Sequence, residues 1–171
     1  RNKIPSVAIA GYTNAGKSSL LNRLTGAGVL VQDALFATLE PTVRRAETHE
    51  GRLFTIADTV GFVRDLPEQL VEVFKSTLEE VLSADLIVHL VDGSHPDPFG
   101  QIRSVRSILR EIGAGGIPEI IAINKAEIAP PEILDQLLRD EREAIAISVK
   151  TGLGIEMLKR AIEEGLPHPR V

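Results

Sequence analysis

The sequence predicts an α/β domain, with a mostly parallel six-stranded sheet, one antiparallel edge strand and helices on both faces. Three observations carry that expectation. Nearly continuous apolar runs such as Leu86–Val91 and Ile120–Ile123 read as strands covered on both faces. Stretches with apolar residues three and four apart alternate with those runs and read as amphipathic helices. A glycine-rich loop follows the first run directly, at the kind of strand end where open α/β sheets bind ligands.

In chain order, Val7–Ala10 is a short buried strand and Ser18–Leu24 a helix. Gly26–Pro41 keeps no period and reads as a long loop. Arg44–His49 and Leu53–Asp58 pair as strands around a Glu50-Gly51 turn. Pro67 opens a helix with Leu70, Phe74, Leu78 and Val81 on one face. The run Leu86–Val91 follows. Phe99, Ile102, Val105, Ile108, Leu109 and Ile112 make the next helical stripe, stopped at Gly113. Ile120–Ile123 is a strand, and Pro130-Pro131 starts a helix to about Leu138. Ala144–Ser148 is the last strand and Ile155–Ile162 the last helix. The order βα, ββ, α, βα, βα, βα gives the parallel sheet with its antiparallel edge. Residues 1–5 and 166–171 read as linker stubs around one domain, 6–165.

The 171 residues suit one domain. Hydrophobic residues make up 43% and charged residues 25%, which excludes disordered, collagen-like and coiled-coil chains. The absence of cysteine excludes disulfides, thiol catalysis and Cys-ligated metal centres. A net charge of −5 supplies no global basic field for nucleic acid. Any such contact must be local or come through a partner. No apolar run nears the roughly 18 residues of a membrane span, and Arg1–Pro5 lacks the signal-peptide pattern, so no membrane anchor is expected in this chain. His49, His95 and His168 are scattered without metal spacing, and His89, inside an apolar run, reads as a core histidine held by a partner.

Gly11-Tyr12-Thr13-Asn14-Ala15-Gly16-Lys17-Ser18 matches GxxxxGK[ST] between a strand and a helix, the context that gives the pattern meaning. Backbone N–H groups of such a loop and of a helix N-terminus point at phosphate oxygens. Asn14, Ala15, Gly16, Lys17, Ser18 and Ser19 are the expected phosphate contacts. Lys17 neutralises the β- and γ-phosphates, and the Ser18 hydroxyl ligates Mg²⁺. The motif establishes a nucleotide phosphate site and leaves the base open.

Three further loops address the base and the metal. Asp58-Thr59-Val60-Gly61 ends a strand, where Asp58 can reach Mg²⁺ and the Gly61 N–H can meet a γ-phosphate. Asn124-Lys125-Ala126-Glu127 follows a buried strand, and Ser148-Val149-Lys150 follows the last one. GxxxxGKS, DxxG, NKxx and SxK on successive strand ends are the arrangement of small guanine-nucleotide-binding proteins. The predicted fold is therefore a P-loop G domain. A carboxylate at the fourth position of NKxD accepts from both guanine N1–H and N2–H₂, a pair adenine does not offer. Here Glu127 stands there, one methylene longer than Asp. Guanine selectivity is expected to persist, with weaker affinity.

Five segments resemble the HflX family of translational GTPases. They are the phosphate loop, Leu35-Phe36-Ala37-Thr38-Leu39-Glu40-Pro41-Thr42, Asp58-Thr59-Val60-Gly61-Phe62-Val63-Arg64-Asp65-Leu66-Pro67, Ser76-Thr77-Leu78-Glu79-Glu80-Val81, and Ala84–Asp92. The resemblance runs from about Val7 to Lys150. It implies a cytoplasmic, ribosome-associated GTPase, dependent on Mg²⁺ and stimulated by the ribosome. Full-length members bind the large ribosomal subunit and split ribosomes in stress. Glu127 departs from the family's Asp, and the family's N-terminal domain, helical linker and C-terminal extension have no counterpart in these residues. The chain thus resembles the isolated G domain.

Carried over by position, Lys17, Thr38 and Gly61 form the expected catalytic set, and Ser18, Thr38 and Asp58 the metal set. Thr42 competes with Thr38 as the switch threonine. The switches would run from about Val29 to Arg45 and from Asp58 to about Lys75, ordering around the γ-phosphate. Many GTPases place a water-orienting Gln directly after DxxG. Phe62 stands there and cannot orient water through its side chain. Phe62 therefore predicts a domain that is slow alone and lacks a catalytic element, which would come from the ribosome, an absent domain or an ion. Related GTPases with Asn-Ala-Gly-Lys use the Asn to hold K⁺, which makes Asn14 a candidate K⁺ ligand. The alternative to a GTP hydrolase is a nucleotide-regulated binding module that barely turns over. An ATP-using P-loop enzyme conflicts with Asn124, Lys125 and Glu127.

Overall fold

A computed structural model of the protein describes residues 4–12, 15–25, 42–58 and 81–167. Its elements are β1 (Ser6–Gly11), α1 (Lys17–Thr25), β2 (Thr42–Glu47), β3 (Leu53–Asp58), β4 (Leu86–Asp92), α2 (Pro98–Glu111), β5 (Glu119–Asn124), α3 (Pro131–Asp140), β6 (Ile145–Ala146) and α4 (Ile155–Gly165). The strands form one six-stranded sheet in the order β2-β3-β1-β4-β5-β6. β2 runs antiparallel to β3, and every other neighbouring pair is parallel. The expected topology is the one observed. The predicted long loop 26–41 and most of the helix predicted from Pro67 lie outside the described residues. Val81, the last apolar position of that helix, is fully buried beside Ala8 and Ile87.

Alternation along the strands builds a core on each face. Val7 and Ile9 of β1 and Leu86, Val88 and Leu90 of β4 join Leu20, Leu21, Leu158 and Ile162 in one cluster. Ala8, Ala10 and Ile87 point the other way and meet Val105 and Leu109 of α2. Val91, Ile121 and Ile123 meet Ile102 and Leu137 in a third cluster. Strands buried on both faces carry no polar alternation, which is why they read as continuous apolar runs. His89 is the polar exception inside the Leu86–Val91 run of β4. It is 1% exposed, and its Nδ1 lies 2.8 Å from Glu119 Oε2. Arg106 of α2 in turn reaches both Glu119 and Glu141 through its guanidinium. The core-histidine reading of the sequence is the one observed.

The β2–β3 hairpin starts and ends two residues earlier on its first strand than the sequence predicts. The Thr48 N–H donates to Arg52 O at 2.9 Å, and the Arg52 N–H donates to Thr48 Oγ1 at 3.1 Å, so His49 and Glu50 belong to the turn. The closed end rests on α4. The His49 N–H and Nδ1 both meet Glu163 Oε1 at 2.6 Å, and Nε2 lies 3.2 Å from Glu156. Arg52 Nη2 donates to Pro167 O. Asp97 caps α2, its carboxylate accepting from the Gly100 N–H at 3.0 Å with Pro98 following.

Candidate nucleotide site

Because β3, β1, β4, β5 and β6 are parallel, their C-terminal ends share one edge. Asp58, Gly11, Asp92, Asn124 and Ala146 are the last residues of those strands. The phosphate-loop residues Ala15–Ser19 lie there, ahead of and inside the first turn of α1. Gly16 has φ of +100°, and a Cβ on it would stand 2.7 Å from Asn124 Nδ2. Both the backbone conformation and the close approach require glycine.

Lys17 begins α1 and is 5% exposed, with Nζ 3.4 Å from Tyr12 O. Burial pushes its ammonium below the usual lysine value, while the nearby Asp58 charge pulls it back up. Ser18 Oγ donates to Asp58 Oδ2 at 3.1 Å. A hydroxyl and a carboxylate at this separation are the hard oxygen donors that Mg²⁺ takes. The residues fit such an ion beside a helix N-terminus that favours phosphate. Ser19 is half-buried in the same turn.

Asn124, 1% exposed, ties the loops together. Its Nδ2 donates to Ala15 O at 2.9 Å, and its Oδ1 accepts from the Val149 N–H at 3.0 Å. Ser148 is fully buried, and its Oγ accepts from the Thr151 N–H, shaping the turn that carries Val149 and Lys150. Lys125 has a φ of +62°, and Ala126 N–H donates to Ile147 O, setting the 125–129 turn against the last strand. Glu127 is exposed on that turn, as is Lys150 on its own. Asn14, Thr38, Gly61 and Phe62 lie outside the described residues, as does the Thr42 side chain.

Two contributors escaped the sequence reading. Asp92 ends β4 and meets Lys125 Nζ at 3.1 Å. Burial alone would raise its carboxyl. Bonds from the Ser94 hydroxyl and N–H and from the Lys125 ammonium outweigh that and hold it below the usual range. The signal was an acidic residue closing an apolar strand run at the ligand edge. The second is Arg23, in the last turn of α1. Its Nε donates to Val149 O at 2.8 Å and its Nη2 to Lys150 O at 2.9 Å. No spacing rule links positions 126 apart.

A sheet edge of this build, with its phosphate loop and its Asn-Lys turn, is that of a P-loop guanine-nucleotide-binding domain. The sequence pattern of the family described as "50S ribosome-binding GTPase" matches residues 6–125, and the chain belongs to that family. It is a GTPase domain of the HflX kind. The GTPase HflX of Caldanaerobacter subterraneus subsp. tengcongensis is 48% identical over 166 residues, spanning 97% of this chain and 38% of that protein. The GTPase HflX of Escherichia coli is 41% identical over 166 residues, spanning 95% of this chain and 39% of that one. The chain thus covers about two-fifths of the length of these curated relatives. Among solved structures, a GTP-binding protein from the archaeon Sulfolobus solfataricus in complex with GDP superposes with a TM-score of 0.76 at 31% identity. That match covers 94% of this chain and 52% of that one. Among the described residues, no helix is long and apolar enough to cross a membrane.

Proposed function

We propose that the domain holds GTP with Mg²⁺ at the Ala15–Ser19 loop and is slow alone. Within its full-length cytoplasmic protein, engagement of the large ribosomal subunit would stimulate it. The observation that supports this best is the Ser18–Asp58 pair beside the buried Lys17 at the α1 N-terminus. Lys17 would neutralise the β- and γ-phosphates, and backbone N–H groups of the loop would hold their oxygens. Ser18, Asp58 and Thr38 would hold the ion, which supplies positive charge beside the phosphates. Asn124 and Lys125 brace the base pocket, Glu127 would accept from guanine N1–H and N2–H₂, and Ser148, Val149 and Lys150 would close over the base.

Gly61 would meet the γ-phosphate, and Phe62 cannot orient the attacking water through its side chain. Ribosomal contact is the proposed source of the missing catalytic element. A K⁺ held by Asn14 is a further proposed source, resting on the sequence motif. Equal hydrolysis in Na⁺ and K⁺ buffers removes it. The first test is a titration with GDP, ADP and xanthosine diphosphate in Mg²⁺ buffer, followed by single-turnover hydrolysis of GTP with and without large subunits. A strong preference for GDP and faster turnover with subunits support the reading. A second reading, a nucleotide-regulated binding module, is favoured by Phe62 and by the exposed Glu127. It stands if GDP binds and turnover stays at background with subunits present.

A further inference from the structure

We propose that Arg23 is a positioning residue for the base-recognition loop and sets how long the domain keeps its guanine nucleotide. The inference rests on the guanine-nucleotide reading and goes one step past it. Its starting point is the Val149 residue, which is held from two directions. Its N–H is taken by Asn124 Oδ1 at 3.0 Å, and its carbonyl accepts from Arg23 Nε at 2.8 Å. The next carbonyl, Lys150 O, accepts from Arg23 Nη2 at 2.9 Å. The guanidinium fork therefore spans two successive carbonyls, a geometry that a lysine ammonium cannot copy.

The neighbouring turn accommodates the fork. Gly152 has a φ of +90°, and a Cβ there would come within 3.2 Å of Arg23 Nη1. Arg23 also sits on the helix that begins at Lys17. Six residues of α-helix place the two about 9 Å apart along the axis. One rigid element thus carries the lysine facing the phosphates at its first turn and the clamp on the base loop at its last. Asn124 makes the matching link from the other side, from Ala15 O to the Val149 N–H. Without Arg23 the loop keeps the Asn124 tether and loses the one from α1.

Charged donors make hydrogen bonds about twice as strong as neutral ones. Two of them in one fork are expected to slow GDP release about tenfold. The experiment measures GDP dissociation, and affinity for GDP and for inorganic pyrophosphate, in the whole chain with Arg23→Ala and Arg23→Lys. Arg23→Ala is expected to release GDP about tenfold faster, with Arg23→Lys between it and the parent. Pyrophosphate, which touches the phosphate loop alone, should be held as before. GDP release within twofold of the parent in both variants overturns the inference. A parallel loss of GDP and pyrophosphate affinity also overturns it, because it assigns Arg23 a general structural role. If Arg23→Ala fails to fold, Arg23→Lys alone decides by the same ratio of GDP to pyrophosphate affinity. Failure of the parent to bind GDP strikes the nucleotide reading itself.

Discussion

The Ser18 hydroxyl donates to Asp58 Oδ2 across 3.1 Å, joining the first turn of α1 to the last residue of β3 over 40 positions of sequence. The bond brings two oxygen donors side by side at the first turn of α1. Removing the hydroxyl takes away one of the two. Ser18→Ala is expected to weaken Mg²⁺-dependent nucleotide affinity by at least about tenfold. The affinity in the presence of a chelator should move far less. Isothermal titration of GDP with and without Mg²⁺ reads the difference. Equal losses in both buffers would count against a metal role for Ser18.

Lys17 gives a pH prediction for the protein without nucleotide. Burial lowers its folded value below the ordinary 10.5. Between those two values the unfolded chain binds more protons than the folded one, so stability rises with pH across that window. Lys17→Met removes this contribution. The difference in melting temperature between parent and variant should therefore shift in the parent's favour as pH climbs toward 10.5. Parallel melting curves from neutral to alkaline pH would contradict it.

Glu119 joins His89 and Arg106 beneath β4 and β5. Burial alone would raise its carboxyl, but the bonds from His89 and Arg106 outweigh it and hold the group below the ordinary value. The stability this provides is complete above the ordinary carboxylate range and is lost as pH falls through the lowered folded value. Glu119→Ala leaves the buried His89 without that acceptor and is expected to cost about 1–3 kcal/mol. Chemical denaturation at neutral pH should report the loss, and the difference from the parent should shrink in acid.

Glu127 is exposed on the 125–129 turn, and its side chain is one methylene longer than the aspartate of the NKxD pattern. Glu127→Asp shortens the reach to guanine and is expected to tighten GDP binding about tenfold. Competition against a fluorescent GDP analogue measures it. Unchanged or weaker binding would mean that this turn already seats the longer side chain correctly.

Where burial was continuous, the fold was legible in the sequence. Val7–Ala10, Leu86–Val91 and Ile120–Ile123 all lie inside observed strands. Each real strand runs on into the polar or glycine residue that serves the site, namely Gly11, Asp92 and Asn124. A search for apolar runs stops short of those residues. For the last strand the sequence predicts 144–148, longer than the strand observed. Only Ile145 and Ala146 pair as strand, and Ser148 turns the chain through its bond from Thr151. The phosphate loop and its partner motifs were legible because phosphate and base chemistry fix residue type and order. Arg23 was not, because its partners are backbone carbonyls, which carry no residue-type signal.

The antiparallel edge strand makes the β2–β3 hairpin a rod with two distinct ends. Its open end holds Thr42 and Asp58, which face each other in register at the nucleotide edge. Its closed end is pinned to α4 by His49 on Glu163, and to the segment just after α4 by Arg52 on the carbonyl of Pro167. Six residues of strand span about 20 Å. The rod therefore sets its turn against α4 and the residues just after it, at the end of the strands away from the phosphate loop. β3 is also paired with β1 from Thr55 to Asp58, so the sheet fixes the hairpin at its Asp58 end while side-chain bonds hold it at its turn.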